Sequence, residues 1–122
     1  MSRVVTSTPF GDYVRGARQR AGLSLRELGK ALGVSHVYVR EVECGHRPPF
    51  VRERWPALMA ALPGITKSGL VYHLALTEGV TLSLADASPA YRELAIALAD
   101  PRAREIRDDD ALAILNVLRG RQ

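Results

Sequence analysis

The stretch Ser24-Leu25-Arg26-Glu27-Leu28-Gly29-Lys30-Ala31-Leu32-Gly33-Val34-Ser35-His36-Val37-Tyr38-Val39-Arg40-Glu41-Val42-Glu43-Cys44-Gly45 decides the fold. Ser24 and Glu27, three apart, make a capping box in which each side chain serves a backbone N–H of the other. Leu28, Ala31 and Leu32 then supply an apolar face, and Gly33 stops this helix after about two turns. Ser35 caps a second helix whose inward residues are Val39 and Val42, and Gly45 ends it. Gly33 lets the backbone turn sharply with φ > 0, which fixes the angle between the two helices. Leu28, Leu32, Val34, Val39 and Val42 form a small shared core, so His36, Val37, Arg40 and Glu41 are left facing outward.

Helical signals continue on both sides. Thr8-Pro9 is a start, with Phe10, Val14, Ala17 and Ala21 at helical spacing before Gly22. His46 to Arg54 holds Pro48 and Pro49 and reads as a loop. Trp55-Pro56 opens a fourth helix carrying Leu58, Met59 and Leu62 as far as Pro63-Gly64, and a fifth runs from about Thr66 through Leu70, Tyr72 and Leu74 to Gly79 despite Gly69. Val80 to Leu84 alternates apolar and polar, which suits a short strand or an extended connector. Ser88-Pro89 opens a helix with Tyr91, Leu94, Ala95 and Leu98 on one face. Asp100-Pro101 marks a further start, and Asp108-Asp109-Asp110 is the acidic first turn of a last helix bearing Ala111, Ile114, Leu115 and Leu118, closed by Gly120. The expected class is all-α.

The 122 residues, 47% of them hydrophobic, suit one core or two closely packed halves, not a multidomain enzyme. The net charge of +4 is unevenly placed. Residues 1 to 65 hold ten Lys+Arg against five Asp+Glu, and residues 66 to 122 hold seven against eight. The N-terminal half therefore leans toward an acidic partner. One cysteine, Cys44, rules out an internal disulfide framework. Nothing approaches eighteen consecutive apolar residues, and Met1 to Thr6 lack the apolar stretch of a signal peptide, so a soluble cytoplasmic protein is expected.

Residues 10 to 65 resemble the XRE family of helix-turn-helix DNA-binding domains, named with the phage Cro and repressor proteins. The features that carry the resemblance are in register: Arg18 four before Gly22, G-L-S before the second helix, L-G-V-S at the turn, and V-x-x-V-E-x-G at the end of the third. The resemblance implies a five-helix lambda-repressor-like domain over about 8–78, followed by a small helical region over 79–122. It implies double-stranded DNA as the partner, with the third helix in the major groove, whose width admits one helix. It also implies an ion pair between Arg18 and Glu43.

For base reading, the resemblance points to Ser35, His36, Val37, Arg40 and Glu41. A guanidinium such as that of Arg40 can donate two parallel hydrogen bonds to guanine, and Val37 can pack on a thymine methyl. Glu41 either accepts from a cytosine amine or orients Arg40. Phosphate contacts are expected from Arg26, Lys30, Tyr38, His46, Arg47, Arg52 and Arg54, since guanidinium, ammonium and phenol groups suit phosphate oxygens. One departure stands out. Many family members carry glutamine at the second position of helix two, reaching a phosphate, where this chain has Leu25, and Arg26 is the expected replacement.

No enzyme, cofactor or metal is expected. Cys44 and His46 form only C-x-H, and no G-x-S-x-G, H-E-x-x-H or P-loop pattern occurs. The C-terminal region offers Tyr91, Leu94, Ile96, Leu98, Ile114, Leu115 and Leu118 for a homodimer contact, for a protein partner, or as extra core. The expected function is a repressor that binds a palindromic operator as a homodimer. The alternative is an antitoxin or controller whose C-terminal region neutralises another protein.

Overall fold

The computed structural model describes residues 7–120; Met1 to Thr6, the segment expected to lack a signal peptide, and the last two residues of the C-terminal region lie outside them. Seven α-helices and no strand occur among the described residues. They are α1 (Pro9–Arg20), α2 (Leu25–Leu32), α3 (His36–Glu43), α4 (Trp55–Ala61), α5 (Lys67–Glu78), α6 (Pro89–Ala99) and α7 (Asp108–Arg119), with 3-10 turns at Arg52–Arg54 and Pro101–Glu105. The alternating Val80 to Leu84 is a connector, and the chain divides there into two compact units, the second beginning at Thr81. With no neighbouring strand, its backbone has no ladder to join.

In the first unit α1 packs on α3 and α5, and α2 packs on α3 and α4. Phe10, Val14 and Ala17 of α1 meet Leu28, Leu32, Val39, Val42, Leu58 and Leu70 in one buried cluster. Phe50 and Trp55 seal it from the loop side, Trp55 donating its indole N–H to the Phe50 carbonyl at 3.1 Å. Three expected inward residues of this unit point out instead: Ala21, just past the end of α1, Ala31 and Tyr72 are exposed. Ala31 is one residue off the Leu28–Leu32 stripe of an eight-residue helix, too short to bury a wide face.

The turn between α2 and α3 is built as the glycines require. Gly33 caps α2 in the left-handed region, at φ 73°. A Cβ on Gly29 would stand 2.7 Å from the Val34 carbonyl oxygen, so only glycine lets α3 start this close to α2. Helix α5 is fastened to α1 by side chains. Thr77 Oγ1 accepts the Phe10 N–H at 2.9 Å, the Tyr13 hydroxyl accepts the Thr66 N–H at 3.1 Å, and the Tyr13 and His73 rings stack at 4.1 Å.

The second unit holds α6, the turn at Pro101–Glu105 and α7, with α6 packed against that turn. Arg92 reaches back to the Leu84 and Ala85 carbonyls, at 3.0 Å each, and fixes the start of the unit. Asp100 caps the turn and binds Arg102 at 3.0 Å, and the guanidinium holds its carboxyl below the usual aspartate range. The acidic first turn opens α7 as read from the sequence.

Candidate nucleic-acid interface

Helix α3 has two unlike sides. Val39, Val42 and Glu43 are buried, while Val37 is 44% exposed and Arg40 is exposed beside it. His36 and Glu41 are half-buried at the edges of the outward face. Ser35 is exposed and accepts the Tyr38 N–H at 3.1 Å, which leaves its hydroxyl hydrogen available to donate outward.

Arg18 and Glu43 meet in a two-pronged pair. Arg18 Nε lies 2.8 Å from Glu43 Oε2, its Nη2 lies 3.1 Å from Oε1, and its Nη1 donates to the Leu23 carbonyl at 2.9 Å. Glu43 is 3% exposed, so every polar atom of the pair is satisfied inside the protein. One interaction thus joins α1, the α1–α2 turn and the end of α3.

Glu41 takes Arg47, not Arg40: Arg47 Nε stands 2.9 Å from Glu41 Oε1. Its role as an orienter of Arg40 is therefore not the arrangement of the free chain. Position is the reason, since consecutive residues on a helix point about 100° apart and the loop after Gly45 brings Arg47 back alongside α3. Arg40 forms no ion pair among the described residues.

Around Tyr38 the expected phosphate residues gather. Its ring packs edge-on against Phe50, with centroids 5.7 Å apart, and carries the guanidiniums of Arg47 at 5.6 Å and Arg54 at 6.0 Å. Arg54 also donates to the Leu32 carbonyl at 3.0 Å, closing an otherwise open acceptor at the C-terminus of α2. Arg52 lies over the Trp55 ring at 4.7 Å. These contacts pre-order three arginines of the loop by cation–π attraction. They are invisible in the spacing of the sequence, although a loop rich in arginine next to Tyr38, Phe50 and Trp55 was a signal for them. His46, Arg26 and Lys30 are exposed, and Leu25, the departure noted in α2, packs half-buried against the core.

The capping box of α2 forms as read: Ser24 Oγ accepts the Glu27 N–H at 3.0 Å and Glu27 Oε1 accepts the Ser24 N–H at 2.8 Å. That backbone hydrogen bond holds the Glu27 carboxyl below the usual glutamate range. Among the described residues no group of three or more His, Cys, Asp or Glu converges to hold a metal ion, and no helix is long and apolar enough to cross a membrane.

The chain is similar to the crystal structure of the clp gene regulator ClgR from C. glutamicum, with 25% identity over 63% of this chain and 96% of that one and a TM-score of 0.48. None of the curated proteins matches it. A family model described as a helix-turn-helix domain matches residues 9–63, which run from the first residue of α1 to just past α4. Residues 9–63 are thus similar to a helix-turn-helix domain, with α2 and α3 hinged at Gly33 and locked by Arg18 and Glu43.

Proposed function

We propose that the chain is a DNA-binding transcriptional regulator that places α3 in the major groove, binds a palindromic operator as a homodimer, and represses by occupying a promoter. The observation that carries this reading is the two-sidedness of α3. A helix sealed by Val39, Val42 and Glu43 on one side offers Val37 and an unpaired Arg40 on the other. Arg40 reads a guanine edge and Val37 packs on a thymine methyl, with Ser35, His36 and Glu41 completing the surface. Arg26, Lys30, His46 and the arginines ordered on Tyr38 and Trp55 flank it and bind phosphates, which positions the helix without reading sequence. Two half-sites spaced about one DNA turn apart require two such helices, hence the homodimer.

Fluorescence anisotropy with the region upstream of the chain's own gene, against a scrambled duplex, tests the reading. With about six phosphates contacted, log K should fall with log[salt] at a slope of roughly −5. Equal affinity for the two duplexes at every salt concentration would remove the operator reading. Tight binding of another protein in place of either duplex would favour the controller or antitoxin function.

A further inference from the structure

Helix α7 has twelve residues and buries none of them. Leu112, Leu115, Val117 and Leu118 are 54%, 37%, 58% and 52% exposed. A helix this short is marginal in water unless a face of it is covered, so α7 needs a surface to lie on.

The order of residues along one stripe says what that surface is. Asp108, Leu112, Leu115 and Arg119 stand at i, i+4, i+7 and i+11, and at 3.6 residues per turn they fall within a sector of about 60°. Read from either end the stripe is charge, leucine, leucine, charge, with opposite signs at its two ends. Ala111 and Leu118 widen the apolar part on one side, while Asp109, Asp110 and Asn116 lie off it. Neither Asp108 nor Arg119 forms an ion pair among the described residues, whereas Asp109 is engaged by Arg107 at 3.6 Å.

Such a stripe is complementary to itself turned end for end. We propose that α7 pairs antiparallel with α7 of a second copy of this chain, Asp108 facing the partner's Arg119 and Leu112 facing the partner's Leu115. A two-fold axis between Leu112 and Leu115 generates both ends of the contact at once, as an isologous interface demands. Parallel pairing sets Asp108 against the partner's Asp108 and Arg119 against the partner's Arg119, so the charges specify orientation as well as partner. Antiparallel helix dipoles favour the same arrangement. The proposal rests on the homodimer reading and adds its contact and register.

Sedimentation equilibrium of the full chain tests it, with circular dichroism to check that each variant keeps its helices. Asp108→Arg and Arg119→Asp should each weaken the dimer about tenfold, because each replaces two attractions per dimer by two repulsions. The double variant D108R/R119D should return to within about threefold of the starting affinity, and Leu112→Asp should give monomer. A monomeric unaltered chain overturns the homodimer reading itself. A dimer indifferent to all four changes overturns the α7 contact while the homodimer stands. Weakened single variants without rescue in the double variant overturn the antiparallel register.

Discussion

Arg18 and Glu43 show how much one residue pair decides. The carboxylate sits at the C-terminal end of α3, where the helix dipole disfavours it, and almost without solvent. The fork of Arg18 and its bond to the Leu23 carbonyl compensate for both. Glu43→Ala should therefore destabilise the first unit by about 3–5 kcal/mol, because it leaves a guanidinium largely buried and unpaired. A double change to apolar residues of similar volume should cost far less, and urea titration followed by circular dichroism separates the two. Outside the core, Arg40→Ala should relax preference at one base pair per half-site by about 1–3 kcal/mol, while Arg52→Ala should weaken all duplexes alike. Selection from random duplexes checks this; an unchanged preference in the Arg40 variant would make that residue a phosphate contact. The pairing of Arg18 with Glu43 was legible only through the family resemblance, since the two residues stand 25 apart in the sequence and no local periodicity joins them. The Tyr38 platform was not legible. Its geometry depends on how Pro48 and Pro49 steer the loop back over α3, and no periodicity encodes that path.

At the scale of elements, the helix starts were the most legible features, since Thr8, Ser24, Ser35, Thr66 and Ser88 each cap with a local hydrogen bond. Orientation of each face was less so. Ala31 fits an apolar pattern and points to solvent, because α2 is too short to bury a wide face, whereas Tyr72, two residues after Leu70, lies about 200° around α5 from it and so never shared its face. The capping box on α2 predicts a pH dependence. The carboxyl of Glu27 titrates lower in the folded chain than in the unfolded one, so its stabilising effect is present above the ordinary glutamate range and is lost as pH falls through the lowered value. Acid should loosen the first turn of α2 before the core opens. Glu27→Gln should remove that part of the acid response, which amide hydrogen exchange at the start of α2 can follow across the acidic range; an identical response in the variant would assign it to another group.

For the whole molecule, the division near Val80 matches the division of charge, basic before and nearly neutral after. A chain ending at Val80 should keep its helices, lose most operator affinity and retain weak binding to any duplex, since linking two readers raises avidity about 10²- to 10⁴-fold. Sedimentation and anisotropy together check both halves; tight operator binding by the shortened chain would place the dimer contact in the first unit. Arg18 ties the far end of α3 to α1, and Arg54 ties the loop beyond it to the end of α2, so the α2–α3 pair is clamped at both ends. Two eight-residue helices held this way have little freedom to adjust to an ill-placed groove. On the proposed homodimer reading, fit within each half-site then falls to the double helix, by twisting or bending, at an energy set in part by bases the protein never touches. A central spacer of flexible pyrimidine–purine steps should bind more tightly than a stiff A-tract of equal length, and the difference should grow as the spacing departs from one turn.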